Sequence, residues 1–211
     1  MSDSIDLSLY LVLDPLMCGG FDGALKVAKA ALEGGTSIIQ LRAPDYKKRF
    51  WYDLALALKP ICKAYHVPLI INDHIDIALA VDADGVHIGQ EDLPAHIVRQ
   101  LVGSDKIIGL SASFIEEVSQ ANSLPVDYVG IGPVFDTSSK IDANPALGFE
   151  LSTQLVQACR LPNILIGGLK DEHIFQAKQT GTNGVAVISA ICAAANPKKA
   201  TQILKQNWIN S

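Results

Sequence analysis

Charge is scarce in this chain of 211 residues and leans acidic, with 17 Lys and Arg against 22 Asp and Glu and a formal net charge of −5. That balance argues against nucleic-acid binding, which needs a basic face to neutralise phosphates, and the one basic run is Lys47-Lys48-Arg49. Long apolar runs are missing too. No stretch approaches the ~20 residues that span a bilayer, and Asp3 and Asp6, not Lys or Arg, precede the first apolar run. The expectation is a cytoplasmic protein with no membrane partner. Cysteine is sparse: Cys18, Cys62, Cys159 and Cys192 form neither a CxxC pair nor a zinc-like Cys/His spacing. They read as reduced thiols packed as small core residues. No Pro/Ser/Gly-rich linker, charge block or low-complexity stretch interrupts the chain, so residues 1–211 are expected to form one domain.

What the chain does have is apolar material, 49% of its residues, enough to bury a large core. It comes as short β-branched runs alternating with longer helix-period stretches, the pattern of a parallel sheet covered by helices. Strands are expected at Leu9–Asp14, Ser37–Arg42, Leu69–Asn72, Gly85–Ile88, Lys106–Ser111, Asp127–Gly132, Asn163–Gly167 and Gly184–Ser189. Helices are expected at Asp22–Glu33, Lys48–Tyr65, Asp73–Val81, Pro94–Val102, Phe114–Ser123, Phe149–Arg160, Asp171–Gln179 and Asn196–Trp208. Eight strand-helix units predict a single-domain α/β fold, a (β/α)8 TIM barrel, over an open doubly wound sheet. A weak echo of Ala83-Asp84-Gly85-Val86, Val126-Asp127-Tyr128-Val129 and Thr182-Asn183-Gly184-Val185 fits turns at the barrel's lower end.

A parallel barrel carries its site where strands end and loops begin, and polar residues gather there. Strand 2 ends in Gln40-Leu41-Arg42, strand 3 in Asn72-Asp73, strand 4 in His87 and the Gly89-Gln90-Glu91-Asp92 loop, and strand 5 in Ser111. Asn72-Asp73 alone would serve as a helix N-cap. With Asp92 on the neighbouring strand, however, two carboxylates face one space, a set suited to Mg2+ that keeps waters and takes phosphate oxygens. His87 reads equally as an interior histidine or a catalytic one. Arg42 offers a planar fork for phosphate, and Lys140 follows the hydroxyl-rich Thr137-Ser138-Ser139 loop. Gly167-Gly168 and Ile188-Ser189 match a phosphate cup built from backbone N–H groups, although a tight loop would also call for glycine. Two anion sites follow: a Mg2+-assisted polyphosphate site near strands 2 to 4 and a monophosphate cup at strands 7 and 8.

These residues, with Ile39-Gln40-Leu41-Arg42, Ile70-Ile71-Asn72-Asp73, the run from Asp84 to Leu93, Gly132-Pro133-Val134-Phe135 and Ile166-Gly167-Gly168 in order, resemble the thiamine phosphate synthase family across nearly the whole chain. The resemblance implies a transferase that joins an aminopyrimidine diphosphate to a thiazole phosphate and releases diphosphate by dissociative substitution. It implies that Gln40, Arg42, Asn72 and Ser111 hold the pyrimidine diphosphate, with Lys140 on its phosphates, and that Asp73 and Asp92 ligate Mg2+. Arg42 and Lys140 then stabilise the departing diphosphate, and Thr137, Ser139, Gly168, Ile188 and Ser189 contact the thiazole phosphate. Its partners are small molecules, and a homo-oligomer would be unsurprising.

Two places depart from the family pattern. Pro44 stands where a lysine is usual, two residues after the arginine, and Lys47 or Lys48 could replace that cation or be simply solvated. Ser113 stands where relatives often carry histidine. That change argues against a thiazole-tautomerase-like isomerase, which needs an acid or base there. A barrel that binds phosphates without turnover is a further alternative, as is a sugar-phosphate isomerase or aldolase using the same cup.

Overall fold

Alternation along the first strand already divides the interior in two. In β1 (Leu9–Leu13), Leu9, Leu11 and Leu13 join the large core that packs strands against helices. Tyr10 and Val12, on the other face, belong to a separate cluster with Ile38, Ile70, Tyr128, Ile164 and Ala186. Side chains of a strand alternate faces, so the second cluster is the filling of a closed barrel. The computed structural model describes residues 5–137 and 144–211 of the chain.

The order is β1, α1 (Phe21–Gly34), β2 (Ile38–Leu41), α2 (Lys48–Ala64), β3 (Leu69–Asn72), α3 (Ile75–Val81), β4 (Gly85–Ile88), α4 (Ala95–Val102), β5 (Ile107–Ala112) and α5 (Ile115–Ala121). It continues with β6 (Tyr128–Ile131), α6 (Gly148–Ala158), β7 (Asn163–Ile166), α7 (Ile174–Gln179), β8 (Gly184–Val187), α8 (Ser189–Cys192) and α9 (Pro197–Asn210). The eight strands pair in parallel, each with the next, and β8 returns to β1. The fold is the single-domain (β/α)8 barrel that the alternation predicts. Its seam is sealed on the outside by α9 against α1, so closely that a Cβ at Gly34 would lie 2.6 Å from Thr201 Cβ. No helix among the described residues is long and apolar enough to cross a membrane. The four cysteines are free thiols, buried or half-buried.

Most expected boundaries shift by a residue or two, and the seventh helix starts at Ile174 rather than Asp171, after a 3-10 turn over Asp171–His173. Three shifts have a plain local reason. The third helix starts at Ile75 rather than Asp73, because Asp73 takes a left-handed backbone (φ 57) that no helix accepts. Strand 8 ends at Val187: Ile188 turns the chain (φ −115, ψ −83), and Ser189 opens the four-residue α8 instead of closing the strand. The last helix runs two residues further than expected, from a strong start in which Asn196 Oδ1 accepts the Lys199 N–H and Pro197 stands at the first turn.

The echo in the sequence is a repeated clamp on the lower, N-terminal rim. Asp84 Oδ2 accepts the Leu69 N–H at 2.8 Å, Asp127 Oδ2 the Ile108 N–H at 2.7 Å, and Asn183 Oδ1 the Asn163 N–H at 2.9 Å. Ser37 Oγ does the same for the Leu9 N–H at 3.1 Å, which the sequence echo does not reveal. In every case the clamping residue's own N–H returns to the carbonyl of the same partner residue. The pairs β1/β2, β3/β4, β5/β6 and β7/β8 are thus each locked at their start.

Candidate active site

At the opposite rim the strands end in the polar residues that the sequence singles out. Gln40 is buried inside β2, and one step beyond the strand the Arg42 N–H donates to Leu13 O at 3.0 Å, which holds the arginine between the ends of β1 and β2. Asn72 closes β3 in register with His87 of β4. Asp73 follows it, exposed, in its left-handed conformation, with its N–H bonded to His87 O at 2.9 Å. Aspartate tolerates that conformation better than most residues. Beyond β4 the loop curls back, and Asp92 Oδ2 accepts the Gly89 N–H at 2.7 Å. The two carboxylates therefore stand at the ends of adjacent strands. Among the described residues no group of three or more His, Cys, Asp or Glu is gathered as a metal cluster. A pair of carboxylates completed by water and phosphate oxygens fits Mg2+ and does not fit zinc.

Beside this pair His74 packs edge-on against Trp51, ring centroids 4.6 Å apart. Burial, then the Lys48 ammonium, hold His74 below its ordinary value against the opposing pull of Asp76 and Asp92. Lys48 Nζ lies 2.6 Å from Asp76 Oδ2, so the cation that could replace the missing lysine at Pro44 is tied to the first turn of α3. Lys47 precedes α2 at its N-cap.

Under the mouth runs a chain of hydrogen bonds. Gln40 Nε2 donates to Tyr10 Oη at 2.8 Å, and Tyr10 Oη lies 2.7 Å from Tyr128 Oη. Tyr128 Oη lies 2.9 Å from His87 Nδ1, and His87 Nε2 lies 2.9 Å from Ser111 Oγ. His87 thus points into the barrel with both ring nitrogens engaged, the arrangement that the interior reading of its position expects. Sequence reasoning passed over Tyr10 and Tyr128. Their signal was available, since a tyrosine at an inward position of a barrel strand must find a partner for its hydroxyl. Burial pushes both phenols well above their ordinary value, and for Tyr128 the neighbouring Tyr10 adds to the rise.

The other side of the mouth is built by close approach. Val134 N–H donates to Ile166 O and Phe135 N–H to Gly167 O, which lace the β6 loop to the end of β7. A Cβ at Gly167 would sit 2.5 Å from Pro133 Cβ and one at Gly168 2.7 Å from Phe135 Cβ, and both glycines have positive φ, 104° and 64°. Here only glycine fits. Next to them α8 begins at the exposed Ser189 with Ile188 at its N-cap, the short extra helix found at phosphate cups of such barrels. Thr137 is the last described residue before positions 138–143; Ser139 and Lys140 lie outside the described residues. Ser113 is fastened elsewhere, its Oγ donating to Gly132 O at 2.7 Å and its N–H to Glu117 Oε2 at 2.6 Å.

A family model described as thiamine monophosphate synthase matches residues 9–191. The chain belongs to the thiamine monophosphate synthase family. Among curated members, the thiamine-phosphate synthase of Laribacter hongkongensis is 48% identical over 204 residues, 97% of this chain and 96% of that one. That of Desulfitobacterium hafniense strain Y51 is 44% identical over 207 residues, 98% of this chain and 100% of its own. Among solved structures, thiamine phosphate pyrophosphorylase from Pyrococcus furiosus superposes with a TM-score of 0.88 at 32% identity, covering 98% of this chain and 97% of that one. The thiamine monophosphate synthase family match thus spans every strand and every loop that carries the residues above.

Proposed function

We propose that this chain is a thiamine phosphate synthase: it joins an aminopyrimidine, carried as its methyl diphosphate, to a thiazole phosphate and releases diphosphate. The observation that carries the reading is the end-to-end match to enzymes of that name. The clustering of Gln40, Arg42, Asn72, Asp73, Asp92 and Ser111 at the ends of β2 to β5 supports it.

In this reading the methylene carbon–oxygen bond of the pyrimidine breaks first, and its electron pair leaves on the diphosphate. The thiazole nitrogen then gives its lone pair to the methylene cation and forms the new carbon–nitrogen bond. No protein nucleophile enters, so positioning and charge stabilisation carry the rate. Arg42 and Lys140 hold the diphosphate and receive its growing charge; Gln40, Asn72 and Ser111 hold the ring. Asp73 and Asp92 would hold Mg2+, which when bound neutralises diphosphate charge. Thr137, Ser139, Gly168, Ile188 and Ser189 seat the thiazole phosphate through hydroxyls and backbone N–H groups, and thereby aim its nitrogen.

The test is a coupling assay with both substrates and Mg2+, reading thiamine phosphate and diphosphate. Equal amounts of the two products are expected, with a loss of about 100-fold or more for Asp92→Ala. Binding of the substrates without any product would instead make the chain a phosphate-ligand binder. A tautomerase-like reading has little support, because Ser113 is spent on structural hydrogen bonds.

A further inference from the structure

With the Gln40 carboxamide nitrogen turned toward Tyr10, the chain of hydrogen bonds beneath the mouth runs in one direction. Tyr10 Oη accepts from Gln40 Nε2, so its single proton must go to its other partner, Tyr128 Oη. Tyr128 Oη has then accepted, and its own proton goes to His87 Nδ1. A neutral ring that accepts at Nδ1 carries its hydrogen on Nε2 and donates it to Ser111 Oγ. The Ser111 proton is left to point out of the relay. Reversing the Tyr10–Tyr128 or the Tyr128–His87 link would strand a buried phenol proton without an acceptor, since Tyr10 and Tyr128 are fully buried. Both phenols are held protonated by burial, so the direction survives over the working pH range.

The surrounding backbone is cut to fit. A Cβ at Gly109 would collide with the ring end and hydroxyl of Tyr128 and with His87 Nδ1, and one at Gly130 would press on His87 Cε1 at 3.2 Å. Two neighbouring strands thus give up side chains at the spot where the tyrosine meets the histidine. The relay draws on β1, β2, β4, β5 and β6, and its two ends, Gln40 and Ser111, lie on strands that do not touch.

We infer that Tyr10, Tyr128 and His87 are positioning residues for the pyrimidine end of the site, a buried one-way relay that sets the Gln40 carboxamide and makes the Ser111 hydroxyl a donor toward the bound ring. The inference rests on the proposed synthase reading, in which Gln40 and Ser111 meet the aminopyrimidine. None of the three residues needs to touch substrate. A carboxamide pinned by one N–H keeps its second N–H and its oxygen in fixed places. A serine that accepts from below keeps its own proton to give above.

The experiment measures steady-state kinetics for both substrates in wild type, Tyr128→Phe, Tyr10→Phe, Ser111→Ala and the Tyr128→Phe/Ser111→Ala double variant, with 15N NMR of the histidine rings of the wild type. Each Phe variant should lower kcat/KM for the aminopyrimidine diphosphate by about 3- to 10-fold while leaving KM for the thiazole phosphate unchanged. Removing the Ser111 hydroxyl should cost less once the relay is cut, so the double variant is not additive. His87 should be the Nε2-protonated tautomer. If Tyr128→Phe does not fold, Tyr10→Phe and the wild-type NMR decide alone. An active wild type whose Phe variants keep full kcat/KM for the pyrimidine substrate, lose it equally for both substrates, or show Nδ1-protonated His87 overturns the relay alone. A wild type that makes no thiamine phosphate overturns the synthase reading and the relay with it.

Discussion

Asp82 joins three elements with one carboxylate. It caps α3 in a left-handed conformation (φ 50), accepts from Lys59 Nζ of α2 at 3.0 Å through Oδ2, and from Lys106 Nζ beside β5 at 2.5 Å through Oδ1. The two ammonium groups, Lys106 first, hold its carboxyl at about 2, below the ordinary 3.8. A depressed carboxylate contributes stability above its unfolded value and loses it as pH falls toward the folded one. Thermal melts from pH 7 to pH 2 should therefore show Asp82→Asn slightly less stable than wild type at pH 7, by about a degree or two. The gap should narrow from about pH 4 and be mostly lost by about pH 2. At this scale the sequence showed which polar residues end strands, Gln40, Asn72 and Ser111 among them, because their position follows from strand periodicity. It did not show what they bond to. The partners of His87 lie 24 and 41 residues away, a distance that no local pattern reports.

The loop after β7 and the short helix after β8 form an element-scale device whose glycines are set by their neighbours. Gly168 has φ 64, and an added Cβ would meet Phe135 Cβ at 2.7 Å and Asp136 O at 3.0 Å. Gly168→Ala must therefore push the β6 loop away from the cup. The expected result is a KM for thiazole phosphate raised about tenfold or more, with KM for the pyrimidine diphosphate little changed and a stability loss of about 1–3 kcal/mol. Steady-state kinetics and a denaturant melt on one preparation check both. Elements long enough to show a period, such as α2 (Lys48–Ala64), could be read from sequence to within a residue or so. α8 could not, because four residues are barely one helical turn and leave no periodic trace. The late start of α3 was hidden for another reason: Asp73 looks like an N-cap, but with its N–H bonded to His87 O it stands in the left-handed region.

Across the whole molecule, the four clamps at the lower rim tie β1 to β2, β3 to β4, β5 to β6 and β7 to β8; among the described residues no side chain makes the equivalent bond across the other four strand pairs. Asp127 carries a second load, since it also accepts from Arg99 Nη2 at 2.7 Å. Asp127→Ala leaves the Ile108 N–H without its acceptor and should cost about 1–3 kcal/mol of stability. Native-state hydrogen exchange at Ile108 should quicken while the kinetic constants for both substrates stay within about twofold. The barrel class was legible because eight alternations of two periods leave few other folds. The clamps were half-legible, visible as three similar turns whose fourth member uses serine in place of aspartate or asparagine. Their spacing gives the floor of the barrel a near fourfold rotational order that its mouth, with one acidic side and one glycine-lined side, does not share. Symmetry is thereby confined to the end that holds the protein together, and the asymmetry needed to tell two different substrates apart is left to the other.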